Sequence, residues 1–111
     1  MEISTGIENG ALVASVTGRI DGTNAKQFED DLMAKISEHS SKVVLDLEGL
    51  AYISSAGLRA ILLIAKNLNQ ADSELLICSL SPSVDEIFRV SGFDRIISTF
   101  SSRNKALESL S

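Results

Sequence analysis

The chain has 111 residues, of which 44% are hydrophobic, and its formal net charge is −5 at pH 7. This length predicts a single domain, residues 1–111, that can bury a core without metal or disulfide support. The 10 Lys and Arg residues are scattered along the sequence, which argues against nucleic-acid binding because phosphate contacts need basic side chains concentrated on one face.

The first segment predicts a β-hairpin. A weakly alternating stretch over 2–7 is followed by Glu8-Asn9-Gly10, a turn signal because Asn and Gly tolerate positive φ. The second arm, 12–17, alternates well enough for a strand, and Gly18 ends it. Two strands joined by so tight a turn must be antiparallel.

The next segment predicts an amphipathic helix and then a buried strand. After a connection over 19–22, Asn24 with Gln27 resembles a capping box. The helix should end near 38–41, and the apolar triplet 43–45 suits a strand that is covered on both faces. Four apolar residues at helical spacing form the predicted buried stripe of this helix: Ala25, Phe28, Leu32 and Ile36.

The middle of the chain predicts a second helix that packs on a sheet. Residues 47–53 should form a loop or a partly extended segment, and they lead into Ser54-Ser55. From 56 to 68 the chain is apolar on most sides, as in a helix packed against a sheet along most of its length. Residues 69–72 end that helix, and 75–78 are predicted as another buried strand.

The last third predicts two more helices around an edge strand. Ser81-Pro82 is typical of a helix start, and Ser91-Gly92 of a helix end. Residues 96–100 make a last edge strand, after which Ser101-Ser102 could cap a short terminal helix. Three residues of that helix should be buried: Ala106, Leu107 and Leu110.

The order of these elements indicates the fold class. Helices and strands alternate after the opening hairpin, which implies right-handed crossovers and a mostly parallel sheet. We therefore predict an α/β domain with a mixed, mostly parallel five-stranded sheet and about four helices.

Cysteine use and hydropathy indicate the compartment. The single cysteine, Cys78, cannot form an internal disulfide, which fits a reducing compartment. The N-terminus lacks the basic flank and apolar core of a signal peptide. The longest apolar run, 60–65, is far shorter than the about 20 residues that span a bilayer. We expect a cytoplasmic protein with no membrane insertion.

Two adjacent hydroxyl groups at the predicted entrance of the second helix are the main candidate for chemistry. Ser54 and Ser55 lie where backbone N–H groups lack intrahelical partners and the helix dipole favours negative charge. Serine is also a preferred cap, worth about 1 kcal/mol. Ala56-Gly57 would leave a small exposed notch beside them. The residues alone are compatible with a cap and with a modification site.

Other kinds of site have less support. A hydrolase nucleophile elbow would need glycine where Ile53 stands. The only histidine, His39, lies before the predicted strand over 43–45, at the opposite end of that strand from Ser54-Ser55. Asp46 is better explained by hydrogen bonds to nearby loop amides than by a phospho-acceptor site with magnesium. Cys78 is expected to pack in the core. We expect no metal, no cofactor and no enzymatic activity.

Several short motifs together resemble the STAS domain of anti-sigma factor antagonists, also called anti-anti-sigma factors. The similarity covers essentially the whole chain and depends on five segments: Gly18-Arg19-Ile20-Asp21, Val43-Val44-Leu45-Asp46-Leu47, Tyr52-Ile53-Ser54-Ser55-Ala56-Gly57-Leu58, Ser81-Pro82-Ser83-Val84 and Ser91-Gly92-Phe93.

The resemblance implies regulation by partner switching. Unphosphorylated members of the family bind an anti-sigma factor that is also a serine kinase; phosphorylation ends the interaction, and a PP2C-type phosphatase restores it. The family's acceptor stands two residues before the motif glycine, which is Ser55 here, and Ser54 replaces the aspartate that usually precedes it. Ser54 is therefore an alternative acceptor.

The same resemblance implies a partner-binding face and a role in transcription regulation. An alternative is a constitutive STAS scaffold subunit of a signalling or lipid-transport complex. In either case we expect a monomer or weak dimer. Nine residues form the implied partner-binding set: Asp21, Tyr52, Ile53, Ser54, Ser55, Ala56, Gly57, Leu58 and Arg59.

Overall fold

A computed structural model describes residues 1–39 and 42–110 of the protein. Its strands and helices follow one another in this order: β1 (Glu2–Glu8), β2 (Ala11–Ile20), α1 (Ala25–His39), β3 (Val43–Asp46), β4 (Leu50–Ile53), α2 (Ser55–Gln70), β5 (Leu75–Cys78), α3 (Pro82–Ser91), a 3-10 turn (Phe93–Arg95), β6 (Ser98–Phe100) and α4 (Arg103–Glu108).

These strands form one mixed sheet in the order β1-β2-β3-β5-β6, with β4 paired to β2 outside this path. The predicted hairpin is confirmed: β1 and β2 are antiparallel, and Asn9 and Gly10 adopt φ of 52° and 78° at the turn. All other strand pairs are parallel. The α/β class is confirmed, and β4 is a sixth strand beyond the five predicted.

The two faces of the sheet are covered unequally. Alternate strand residues point to opposite faces, so that Leu12 and Leu45 pack with α1, α2 and α3, whereas Val13 and Val44 pack with α4. The predicted stripe of α1, from Ala25 to Ile36, is buried. Three helices thus cover one face, and the six residues of α4 cover the other.

Arg103 fixes α4 to the second face. Its guanidinium donates from Nε to Asp46 Oδ2 at 2.9 Å, from one terminal nitrogen to Glu8 Oε2 at 2.8 Å and from the other to Ser15 Oγ at 2.8 Å. We call this set of contacts the Arg103 latch. It joins the start of α4 to the last residues of β1 and β3 and to the middle of β2.

Several element boundaries differ from the sequence prediction. Strand β2 continues past Gly18 to Ile20 because β4 provides a second partner for its end. For the same reason, part of the segment over 47–53, which was predicted as a loop or partly extended, is a strand. Helix α2 begins at Ser55, one residue before the predicted start. Helix α1 extends to His39, and residues 40 and 41 of its predicted end lie outside the described residues.

The predicted strand over 96–100 is shorter in the structure. The left-handed Gly92, with φ of 81°, ends α3 as predicted, and the 3-10 turn follows. Strand β6 begins only at Ser98, because the N–H groups of Ile96 and Ile97 donate back to the Phe93 carbonyl, at 3.0 Å and 2.9 Å. In the terminal helix, Ala106 and Leu107 are buried as predicted, whereas Leu110 lies beyond the end of α4 and is half-buried.

Candidate functional site

A change of partner along β2 positions the site. The first half of β2 pairs with β3, and its end pairs with β4 after a register shift between Gly18 and Arg19. Gly18 has φ of 94°, a conformation that glycine adopts without strain. Beyond β4, the Ser54 N–H donates to the Ile20 carbonyl at 2.9 Å. The turn into α2 is therefore anchored to the end of a central strand.

Ser54 is the N-cap of α2. Its backbone is extended, with φ of −89° and ψ of 174°, and its hydroxyl oxygen accepts a hydrogen bond from the Gly57 N–H at 3.2 Å. The side chain is half-buried. Ser54 thus satisfies one of the N–H groups that a helix start leaves unpaired.

Ser55 is the first helical residue and is exposed to solvent. Across residues 1–39 and 42–110, no hydrogen bond to the Ser55 hydroxyl is present. The helix dipole places partial positive charge at this end of α2. A negatively charged group on Ser55 is therefore electrostatically favoured and sterically accessible.

Gly57 allows the first turn of α2 to lie directly on the strand ends. A Cβ at this position would lie 2.7 Å from Cγ1 of Ile53 and 2.8 Å from Cγ2 of Ile20, which is too close for carbon atoms. Gly57 is buried, so the exposed notch expected at Ala56-Gly57 is wrong for the glycine, and only Ala56 is exposed. The absence of a side chain at Gly57 lets α2 pack closely against Ile53 and Ile20.

Two more members of the implied partner-binding set face the core. Ile53 is 2% exposed and Leu58 is 7% exposed. Together with the buried Gly57, they support the exposed members of the set from beneath. The exposed members are Tyr52, Ser55, Ala56 and Arg59, whereas Asp21 and Ser54 are half-buried.

Asp21 lies at the same edge, one residue after the carbonyl that holds Ser54. Its Oδ1 accepts from the Thr23 hydroxyl at 2.6 Å and from the Thr23 N–H at 2.9 Å. These hydrogen bonds, first that of the hydroxyl, lower the pKa of the Asp21 carboxyl below its usual value. Asp21 therefore places a fixed negative charge on this edge at neutral pH.

Asn24 does not have the predicted capping geometry. Its side chain accepts from the Asp21 N–H at 2.9 Å and donates to the Arg19 carbonyl at 3.0 Å. These contacts face back along the chain rather than toward Gln27. Asn24 instead holds the loop that carries Asp21.

Tyr52 has a cationic neighbour that the sequence did not indicate. The Arg19 guanidinium lies 4.5 Å from the centroid of the Tyr52 ring, within the range of a cation–π contact. The two residues are opposite each other in the β2–β4 register. Without β4 in the prediction, this pairing had no signal in the sequence.

A groove beside Ser55 was also not predicted. It has a volume of about 390 Å³ and lies between the first turns of α2 and the outer side of α3. Val90, on its rim, is 83% exposed. Val90 falls outside the buried side of α3, which Val84 and Phe88 form, but nothing in the sequence placed it beside Ser55. Six residues line the groove: Ser55, Leu58, Glu86, Ile87, Val90 and Ser91.

The alternative sites are not assembled around Ser55. His39 ends α1 just before β3 begins, whereas Ser55 follows the opposite end of β2. Asp46 accepts from the Glu48 N–H at 3.0 Å, as expected, and also from Arg103 in the latch. Cys78 is buried. Within the described residues, no group of three or more His, Cys, Asp or Glu side chains is placed to hold a metal ion.

Known proteins resemble this chain over most of its length. A family model described as the STAS domain matches residues 2–106. A protein of Bordetella bronchiseptica, named as a candidate anti-sigma factor antagonist, BtrV, is 46% identical over 98 residues. That match covers 88% of this chain and 84% of the relative.

Solved structures resemble it in fold. An anti-sigma factor antagonist from Mycobacterium paratuberculosis superposes with a TM-score of 0.89 at 20% identity, covering 97% of this chain and 92% of that one. The Bacillus cell fate determinant SpoIIAA, solved in its phosphorylated form, superposes with a TM-score of 0.73 at 15% identity, covering 99% and 100% of the two chains. At these identities the likeness shows a common fold.

Proposed function

The chain belongs to the STAS domain family, and from that premise we propose that it is an anti-sigma factor antagonist controlled by phosphorylation of Ser55. The unphosphorylated form binds an anti-sigma factor that is also a serine kinase. Phosphorylation releases it, and a PP2C-type phosphatase returns the chain to the binding form. The name of the relative at 46% identity supports the antagonist role.

One observation carries the choice of acceptor. The Ser54 hydroxyl is occupied as the N-cap, whereas the neighbouring Ser55 hydroxyl is exposed on the first helical residue. Phosphorylation of Ser54 would place the phosphate on the half-buried oxygen that accepts from the Gly57 N–H, so the cap would have to rearrange. Phosphorylation of Ser55 leaves the cap in place. The family motif selects the same residue, two positions before Gly57.

The modification is an ordinary phosphoryl transfer. The kinase transfers the γ-phosphoryl group of ATP to Ser55 Oγ, so that an O–P bond forms while the bond to the ADP oxygen breaks. The hydroxyl proton passes to a base of the kinase. The chain supplies only the nucleophilic hydroxyl, and the proposal assigns it no turnover of its own.

The phosphate acts on the interface rather than on the fold. A phosphoserine adds about −1.5 to −2 charge at pH 7, which a helix N-terminus accommodates. In a close-packed contact the same group must be desolvated or repelled. Such a penalty is several kcal/mol, and every 1.4 kcal/mol is about tenfold in affinity.

The proposal includes a cytoplasmic location. Among residues 1–39 and 42–110, no helix has the length and apolar character needed to cross a bilayer. The formal charge of −5 also favours association with a basic surface on a protein partner.

Intact mass measurement tests the acceptor. Serine kinases of the anti-sigma type from the source genome are purified individually and incubated with the chain and ATP. We expect one phosphate on the wild type and on Ser54→Ala, and none on Ser55→Ala. Circular dichroism confirms that both variants are folded.

Two results would contradict the proposal in different ways. Uptake that survives in Ser55→Ala but is lost in Ser54→Ala would move the acceptor by one residue. No uptake from any of the kinases would remove the switch. Stable binding to a partner regardless of the state of Ser55 would instead support a constitutive scaffold.

A further inference from the structure

Helix α2 carries an arginine near its start and no acid to pair with it. The helix, Ser55–Gln70, contains no Asp or Glu, and its charged side chains are Arg59 and Lys66. Arg59 is exposed, and its guanidinium forms no ion pair or hydrogen bond with the part of the chain that the structure describes. It lies in the second turn, near the end of the helix whose dipole favours anions over cations. The unmodified helix therefore leaves the Arg59 charge uncompensated.

Ser55 lies four residues before Arg59, on the same side of α2. Side chains at this spacing have Cβ atoms about 5–6 Å apart, and both residues are exposed to solvent. An acid that precedes a base by four residues is also the more favourable order for an ion pair within a helix. A phosphate on Ser55 would give α2 an acidic group at the position from which Arg59 can be reached.

Helix α3 contains the same arrangement with a carboxylate in place of the phosphate. Asp85 lies in its first turn, and Asp85 Oδ2 is 3.3 Å from Nε of Arg89, four residues later. A phosphoserine extends further from the backbone than an aspartate and offers three acceptor oxygens. The spacing that suffices for Asp85 and Arg89 therefore suffices for a phosphate on Ser55 and Arg59.

We infer that phosphorylation of Ser55 creates an ion pair within α2, in which the Arg59 guanidinium binds the phosphate oxygens. The inference rests on the proposed function and assigns Arg59 as the residue that positions the phosphate. Arginine suits this task because its planar fork binds two phosphate oxygens at once. The second pKa of a phosphoserine is about 6, and a neighbouring cation lowers it. Arg59 thus keeps the modified site doubly charged at mildly acidic pH.

Other charged groups act on the same phosphate from neighbouring elements. Glu86 of α3 is exposed and lines the groove beside Ser55, and Asp21 lies at the same edge, after β2. Both are negative, so they should raise the pKa of the phosphate and oppose Arg59. Arg19 of β2 lies against an aromatic ring of β4. Because these three groups stay unchanged when residue 59 is substituted, the effect of Arg59 can be measured separately.

The titration of the phosphate tests the ion pair. Phosphoserine is installed at position 55 of the full chain during translation, so that no kinase is needed, and the phosphorus NMR signal is followed against pH. We expect the phosphate pKa to be about 0.3 higher in Arg59→Gln than in the wild type, about twofold in proton affinity, as for an exposed pair at this spacing. Arg59→Lys should recover part of the difference, because it restores the charge without the planar fork.

Lys66→Gln is the matched control. Lys66 is exposed on the same helix, but it lies about 16 Å from Ser55 along the helix axis, beyond the distance at which salt screens exposed charges. Its substitution removes one positive charge and should leave the phosphate pKa unchanged. In the wild type, the Nε–H signal of Arg59 should also move as the phosphate titrates, which reports the contact directly. Circular dichroism confirms that each variant is folded.

The outcomes separate this inference from the function on which it rests. Equal phosphate pKa values in the wild type and Arg59→Gln would overturn the ion pair, as would a change in Arg19→Gln alone, which would assign the phosphate to the neighbouring strand. Neither result bears on modification by a kinase, since the phosphate is installed without one. A difference that appears in Arg59→Gln, while no anti-sigma kinase modifies Ser55, would support the pair and overturn the switch.

Discussion

Helices α2 and α4 begin in similar ways but perform different tasks. Each begins at a pair of adjacent serines, and in each the hydroxyl of the N-cap serine accepts from a backbone N–H three residues later at 3.2 Å. The caps are Ser54 and Ser102. By the local measure of capping, the two entrances are equivalent.

They differ in the residue that follows the cap. In α2 this residue is Ser55, which is exposed. In α4 it is Arg103, which is held by Asp46, Glu8 and Ser15. The position of a serine pair relative to the cap therefore decides what it can do. In α2 the second hydroxyl lies after the cap and is available, whereas in α4 the extra serine, Ser101, lies before it.

The largest loss of stability should come from removing Arg103, the first residue of α4. The side chain of Asp46 is only 5% exposed, so Arg103→Met leaves a buried carboxylate without its cation. We expect a loss of about 3 kcal/mol in the free energy of unfolding, measured by urea denaturation. Because Arg103 itself is partly exposed, its contact with Glu8 should add little.

The reactivity of the Cys78 thiol gives a second measurement of the effect of Arg103→Met. It lies under α4, and burial raises the pKa of its thiol to about 11. Its reaction with a disulfide reagent at pH 8 should be slow in the wild type, because the thiolate is the reactive form. It should be faster in Arg103→Met, because loss of the latch lets α4 move away and exposes the thiol. Asp46→Asn combined with Arg103→Met should recover part of the stability. An Arg103→Met protein as stable as the wild type would show that the latch is not required.

A smaller effect should follow from changing the packing under the first turn of α2. Gly57→Ala puts a Cβ against Ile53 and Ile20, and overpacking of this kind costs about 1–3 kcal/mol. The turn that carries Ser55 must shift, so uptake of phosphate should slow as well. Urea unfolding and initial rates of phosphorylation measure the two effects.

Gly22→Ala is the matched control for this change. A Cβ at Gly22 would meet no atom within 4 Å, and its φ is not positive. Its stability should stay within about 0.5 kcal/mol of the wild type. If Gly57→Ala changed the free energy of unfolding as little as Gly22→Ala, the first turn of α2 would not be closely packed on the strand ends.

The smallest effects should come from the two caps themselves. Ser54→Ala and Ser102→Ala should each cost about 1 kcal/mol, and glycine at either position should cost only a few tenths. Thermal unfolding monitored by circular dichroism compares the four variants. A much larger loss for Ser54→Ala than for Ser102→Ala would contradict the view that the two caps are equivalent.

Much of the fold could be predicted because it depends on local signals. The turn at Asn9-Gly10, the buried stripe of α1 and the helix start at Ser81-Pro82 all involve residues close together in the chain. Serine capping of α2 could also be predicted as a role. Which of Ser54 and Ser55 serves as the cap required the backbone conformation.

The features that could not be predicted depend on distant pairs. Strand β4 exists because the end of β2 lies beside it, and its own sequence, Leu50–Ile53, is too short to identify a strand. The latch joins Arg103 to Asp46 across 57 residues. The groove joins α2 to α3, so that neither Glu86 nor Val90 had a reason to be selected from its neighbours.

The two sides of α3 have a consequence for how such regulators diversify. One side is fixed by the core through Val84 and Phe88, and the other presents Glu86 and Val90 to solvent. Substitutions on the outer side should therefore change the free energy of unfolding little, whereas substitutions of Val84 or Phe88 should lower it strongly. The exposed side of α3 is thus a part of the surface that can vary between homologous copies while the fold, Ser55 and its cap stay the same.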